Sequence, residues 1–384
     1  MHSSMVTVGV DIRVLGPAPH GGIREYTEQI LRELVKFHDV TWKLFYSGRQ
    51  PLDQRPWMSA ANIIIHETEH SNRLLWARTR CTGRPYIDRF IGGADVFFFP
   101  HFLLAATSPS CRRVMTWHDL SYESMPELLS VGRRFWHRAV MRPRMQARTA
   151  DHIIAVSEST RRDLIGRYGI VPERVTTVHS GIDPSVKRAS DGEIELFRAR
   201  ESLPRRFVFA LGTREPRKNL GALVAAFERI ASGRRYADLG LVIAGPDGWL
   251  EGPLRDQIHR SALRTRIRFV GQLRREERAL WLSAATVLAY PSLMEGFGFP
   301  PLEAMACGTT VLASANSSLF ETVSDAGLLV DPYSIDRLAA SLAALLDDDA
   351  LRTRMIQRGY ARVAMFTWSQ AAARTMDVLR SVLQ

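Results

Sequence analysis

The chain has 384 residues, 51 Lys+Arg against 40 Asp+Glu for a formal net charge of +11, and 46% hydrophobic residues. That composition excludes intrinsically disordered, collagen-like and disulfide-scaffold proteins, and the length favours two domains of ~190 residues over one core. Cys81, Cys111 and Cys307 stand far apart without Cys/His ligand spacing, so neither a disulfide framework nor a structural zinc is indicated.

The opening segment MHSSMVTVGVDIRVLGPAPH has neither the basic start nor the long apolar run of a secretory signal. No stretch of 18 uncharged apolar residues follows. A cytoplasmic protein, at most peripheral on a membrane face, is expected. The positive charge is almost all arginine, with Lys only at 36, 43, 187 and 218. Such a global excess does not point to a nucleic-acid partner.

In chain order, short apolar, β-branched runs alternate with helical stretches, which predicts parallel sheets covered by helices on both faces. A strand is expected at 6–12, then a loop ending in Gly21-Gly22, a helix over 24–37, and strands near 41–46, 62–66, 94–99, 112–117, 152–156 and 174–178. The intervals 47–61 and 67–93 show no assignable pattern. Between Glu127 and Asp151 lie six arginines and no acid, interleaved with Phe135, Trp136, Val140, Met141 and Met145. A helix over 128–150 is expected there, its cationic face either lying on anionic lipid or simply solvated.

After a polar linker at 184–204 the alternation resumes. Strands are expected at 207–212, 239–245, 267–271, 286–292, 309–314 and 327–331, with helices at 219–232, 251–263, 274–284, 300–306, 333–347 and 350–364 and a last one over 366–383. The fold class is α/β, with two doubly wound domains. Such sheets bind ligands where loops leave the carboxyl ends of strands, and two facing sheets would share a cleft.

The densest constellation is YPSLMEGFGFPPLEAMACGTTVLAS, residues 290–314. A strand gives way to a Gly/Pro loop carrying Glu295, and a helix expected to begin near Pro300 carries Glu303 in its first turn. Gly296 and Gly298 free the backbone to aim N–H groups at an anionic, hydroxyl-rich ligand. Carboxylates accept hydrogen bonds from vicinal diols, so a sugar at one acid and a ribose at the other is a natural division.

Glu295 and Glu303, with seven residues between them in this context, resemble the Glu-x7-Glu motif of retaining glycosyltransferases of family 4. The resemblance spans nearly the whole chain. It implies the GT-B fold, two Rossmann-like domains facing a central cleft: 1–185 on the acceptor side, 186–365 for the nucleotide sugar, and 366–384 as a helix crossing back. It also implies a metal-independent enzyme without a cofactor, whose partners are a nucleotide sugar and a glycan acceptor.

Other segments follow from the same resemblance. In LGTREPRKNL, 211–220, Lys218 and Arg217, with Arg214 as the alternative, match the cations that hold the donor diphosphate and stabilise it as it leaves. Gly21 and Gly22 resemble the glycine loop facing the donor phosphates from the first domain. His118, in VMTWHDLSYESMPE, resembles the histidine that contacts the transferred sugar. Asp183 resembles the acid at the domain hinge, and Val270-Gly271 the strand end that reads the nucleotide base. Ser292, Phe297 and Leu302 belong with Gly296, Gly298 and Glu303 to the substrate-binding set, while Glu295 is grouped with His118, Lys218 and Arg217 as catalytic.

The EPRKN and HDLS-xxxx-PE variants look most like bacterial mannosyl- and rhamnosyltransferases of surface-polysaccharide synthesis. They imply GDP-mannose as donor, with GDP-rhamnose or a UDP-sugar as alternatives, and a lipid-diphosphate-linked acceptor at the cytoplasmic face of the inner membrane. A nucleotide-sugar epimerase and a non-catalytic binding protein are the competing classes.

Overall fold

The computed structural model describes residues 5–16 and 21–384; Pro19 and His20 of the first glycine loop lie outside that set. In the first half, β1 (Val6–Asp11), β2 (Val40–Ser47), β3 (Ile63–Thr68), β4 (Val96–Phe99), β5 (Arg112–Trp117), β6 (His152–Ala155) and β7 (Val175–Thr177) form one parallel sheet, ordered β3-β2-β1-β4-β5-β6-β7. In the second, β8 (Arg206–Leu211), β9 (Leu239–Ala244), β10 (Ile267–Gly271), β11 (Val287–Tyr290), β12 (Thr310–Ser314) and β13 (Leu328–Val330) form another, ordered β10-β9-β8-β11-β12-β13. Every residue of β4 and β11 is buried, as a strand covered on both faces requires.

Each sheet reverses its order beside its first strand: β1 lies between β2 and β4, and β8 between β9 and β11. At such switch points the connections on the two sides run to opposite faces and leave a crevice at the carboxyl ends. The chain divides into two compact units, each with its own core. One takes in the chain through Ser124, Val131–Gly181 and Thr367–Gln384; the other takes in Met125–Ser130 and Ile182–Phe366. Phe97, Phe99, Met115, Trp117 and Ile153 anchor the first core, and Val208, Phe227, Leu241, Leu312 and Leu342 the second.

The last helix, Trp368–Ser381, packs on the helix Gly22–Leu34 of the first unit. Trp368, Ala371, Ala372, Thr375, Met376 and Leu379 are buried at helical spacing and form its inner stripe. At Gly181 the approach is backbone to backbone. A Cβ there would lie 2.2 Å from the Trp368 nitrogen.

The structure corrects three expectations. The stretch 184–204 is not a bare linker, because Asp191–Arg200 is a helix closed by a capping box between Ser190 and Glu193. The stretch 128–150 is not one helix. It runs as Val131–Phe135, a π-helical turn Trp136–Met141 and a separate helix Pro143–Thr149. Pro143 disfavours helical geometry at the residue before it, and Arg142 adopts φ 46°. The unassigned intervals contain a short turn at Pro56–Ser59 and helices at Asn72–Thr82 and Ile87–Phe90. Among the described residues no helix is long and apolar enough to cross a membrane.

Substituting Gly181→Ala should lower the melting temperature by roughly 3–10 °C, the cost of forcing a methyl into closed packing. Calorimetry showing an unchanged transition would contradict this contact.

Candidate active site

The loops that leave β8 and β11 lie side by side at the switch point of the second sheet. After Leu211 the chain turns at Gly212, whose φ of +148° suits glycine. A Cβ on Gly212 would meet the Lys218 Cε at 3.1 Å. A short turn, Pro216–Lys218, then leads into the helix Leu220–Ala231. After Tyr290 the chain runs through Pro291 to Gly298, where φ +87° and a Cβ position 2.8 Å from Leu319 leave room only for glycine.

Backbone and side chain tie the two loops together. The Leu293 N–H donates to the Arg217 carbonyl at 2.8 Å, and Arg217 Nη1 donates to the Met294 carbonyl at 2.6 Å. Lys218 Nζ donates to Glu295 Oε1 and to the Tyr290 hydroxyl, each at 2.6 Å. Arg217 Nη1 lies 3.0 Å from Glu295 Oε2, and its Nη2 lies 2.5 Å from Glu215. The Glu295 backbone is fixed in turn: its N–H donates to Ser317 Oγ, and the Ser318 hydroxyl donates to its carbonyl, each at 3.0 Å.

Burial alone would raise the Glu295 carboxyl, but Arg217 and Lys218 more than offset this and bring its pKa down to about 2. Burial draws the Lys218 ammonium below its ordinary value, with Glu295 opposing the shift. Glu295 is therefore ionised throughout the neutral range. A small pocket beside the pair is lined by Gly212, Lys218, Ala244, Tyr290 and Ser292.

The helix following this loop is Phe299–Ala306, so it starts earlier than expected and Glu303 stands in its second turn rather than its first. Left-handed Gly298 ends the loop one residue sooner. Glu303 is buried and paired with Arg278 at 2.6 Å. Leu302 is fully buried in the core, and Phe297 packs edge-on against Phe299 and Phe366. Gly296 and Ser292 are buried in the same loop.

In the second unit Arg214, Asp183, Val270 and Gly271 do not join the cluster. Arg214 donates to the Gly245 carbonyl at 2.6 Å, pairs with Glu251 at 3.2 Å and with Asp247, and lies over the Phe269 ring. Its guanidinium thereby fastens the ends of β8, β9 and β10. Asp183 accepts from the Ser185 N–H at 2.9 Å and pairs with Arg275. Gly271 ends β10 at φ +76° after an irregularity at Val270, and its carbonyl accepts from the Gly245 N–H at 2.6 Å.

In the first unit, Gly21 is the N-cap and Gly22 the first residue of the helix after β1. Among the described residues a Cβ on Gly21 would meet nothing within 4 Å, and its φ of −159° suits any residue. Packing therefore does not demand this glycine. His118 directly follows β5, with its ring edge-on to Tyr26 at 4.9 Å. Its Nε2–H donates to the Pro100 carbonyl at 2.9 Å. Burial lowers its pKa to about 4, against the pull of that carbonyl, so the imidazole is neutral at pH 7.

Tyr290, Glu215, Arg278, Ser317 and Ser318 complete the arrangement and were not singled out by motif. Tyr290 could have been noticed as a hydroxyl ending an otherwise apolar strand. Ser317 and Ser318 carry no such signal, since they reach the loop only through the β11–β12 pairing.

Two family profiles match the chain: "Glycosyltransferase Family 4" over residues 20–186 and "Glycosyl transferases group 1" over residues 193–362. The O-antigen chain mannosyltransferase B of Escherichia coli is 27% identical, with 94% of this chain and 96% of that protein covered. A D-inositol 3-phosphate glycosyltransferase of Catenulispora acidiphila is 34% identical over 61% of this chain and 58% of its own length. Among solved structures, sucrose-phosphate synthase from Thermosynechococcus elongatus superposes with a TM-score of 0.75 at 22% identity, covering 98% of this chain and 99% of that one. Two parallel Rossmann-like sheets of this order, with both profiles in succession, identify the chain as a glycosyltransferase of family 4 with the GT-B fold.

Proposed function

We propose that this glycosyltransferase moves a hexose, with retention and without a metal, from a nucleotide sugar to a hydroxyl of a lipid-diphosphate-linked glycan in O-antigen or related surface-polysaccharide synthesis. The observation that carries the reading is the convergence of Arg217, Lys218 and Glu295 at the switch point of the second sheet. Mannose, from GDP-mannose, is the leading donor sugar. The near full-length likeness to an O-antigen mannosyltransferase supports it.

In this reading the donor diphosphate draws Arg217 and Lys218 from Glu295, and the freed carboxylate receives hexose hydroxyls. The backbone between Gly296 and Gly298 assists, and Glu303, held by Arg278, accepts from the ribose hydroxyls. The bond between the anomeric carbon and phosphate oxygen breaks with its electron pair on the oxygen, where the two cations meet the growing charge. The acceptor oxygen bonds to the anomeric carbon on the same face and passes its proton to the departing phosphate. His118, neutral and fixed by Pro100, contacts the transferred sugar as a hydrogen-bonding group.

The acceptor's lipid anchor fits a second feature. Val131 and Phe135 are 73% and 67% exposed, and Arg133, Arg138, Arg142, Arg144 and Arg148 are exposed along the same stretch. Apolar tips among arginines suit an anionic bilayer surface.

Lys218→Ala should lower kcat/KM by roughly 100- to 1,000-fold, the usual worth of one donor to a leaving anion, and should weaken binding of GDP. Unchanged GDP affinity by calorimetry would reject the role. In the free enzyme Arg217 and Lys218 hold the Glu295 carboxyl well below the usual carboxylate range, so its protonation does not shape the kcat/KM profile near neutrality. Glu295→Gln should therefore be at least about 10-fold less active at every pH from about 5 to 9, without recovery in acid. Recovery at one end of that range would contradict the assignment. Flotation with phosphatidylglycerol vesicles should carry the parent protein upward but not a variant with Arg133, Arg134 and Arg138 replaced by Ser. Equal flotation, or none by either, would remove the membrane contact.

A further inference from the structure

Two basic and two acidic side chains meet where the β8 and β11 loops touch: Arg217, Lys218, Glu295 and Glu215. The first three have tasks in the reading above, but Glu215 has none. Its side chain is only 5% exposed and lies 2.5 Å from Arg217 Nη2. The turn holds it there. Glu215 is the extended residue before Pro216, and its carbonyl accepts from the Lys218 N–H at 3.0 Å. A carboxylate and a guanidinium two residues apart are thus locked together independently of Glu295.

The consequence is electrostatic. Two acids, Glu215 and Glu295, stand against two bases, Arg217 and Lys218, so the formal charges of the site balance before a ligand arrives. Glu295 can turn to hydroxyls when a diphosphate takes the cations. Glu215, set in the turn itself, stays beside Arg217 and within one guanidinium of the incoming anion. A buried like charge at that range weakens the hold on the anion.

We propose that Glu215 is a positioning residue with a second effect. It keeps Arg217 aimed at the β11 loop while the site is empty, and its negative charge limits the affinity for the nucleoside diphosphate so that the product leaves. The proposal rests on Arg217 and Lys218 being the diphosphate-binding pair.

The test is Glu215→Gln in the full chain, which keeps shape and hydrogen bonding but removes the charge. Calorimetric titration with GDP, UDP and ADP should show that the diphosphate bound by the parent binds the variant about ten-fold more tightly. The corresponding uncharged nucleoside should bind both alike. The donor KM should fall without a rise in kcat, because product release slows. Glu215→Asp, which keeps the charge, should stay near the parent, and Glu215→Ala substitutes as the neutral variant should the Gln protein unfold. A merely structural role for Glu215 would loosen diphosphate binding in the neutral variants, and equal or weaker binding overturns the proposal. If the parent itself binds none of the three diphosphates, the underlying reading of Arg217 and Lys218 fails with it.

Discussion

Burying one carboxylate is costly, and burying two cations is costlier; Glu295, Arg217 and Lys218 are tolerable inside this protein only together. That requirement links residues 77 positions apart in sequence and specifies which loops must adjoin. The loops after β8 and β11 satisfy it because those strands are neighbours at the point where the sheet reverses order. Placing Glu295 after β10 or β13, neither of which is a neighbour of β8, would leave ionised groups buried without partners. The ion cluster and the strand order are thus two aspects of one constraint.

Glycine makes the constraint achievable. β8, β9 and β10 each lead into a glycine at positive φ: Gly212, Gly245 and Gly271. A Cβ on Gly245 would lie 1.9 Å from the Gly212 carbonyl oxygen, so the strand ends touch through bare backbone. Arg214 reinforces this row from one side, through Gly245 and Glu251. The packed row lets the Lys218 stem run across Gly212 to reach Glu295, and it explains why an arginine so close to the cluster serves the scaffold instead.

The strands were readable because a parallel sheet buried on both faces writes continuous apolar runs such as Val96–Phe99 and Val287–Tyr290. The acid and glycine spacing of residues 295–303 made the family legible. Other features were hidden for physical reasons. Asp191–Arg200 is a polar surface helix whose signal is its cap rather than an apolar stripe. The break at Arg142 depends on the following proline, which an amphipathic reading of the whole stretch overlooks. That Arg214 pairs with Glu251 while Arg217 reaches Met294 and Glu295 could not be read from a loop sequence, because those partners come from distant segments. Ser317 and Ser318 likewise act on Glu295 only across the sheet.

The central claim is that the buried carboxylate and its two cations form the seat of a sugar diphosphate. A crystal of the protein soaked with GDP-mannose tests it most directly. The account requires both phosphates within hydrogen-bonding distance of Arg217 and Lys218, with the Glu295 carboxylate turned to the hexose hydroxyls. Density for the donor elsewhere, with the Lys218–Glu295 pair still closed, would contradict it.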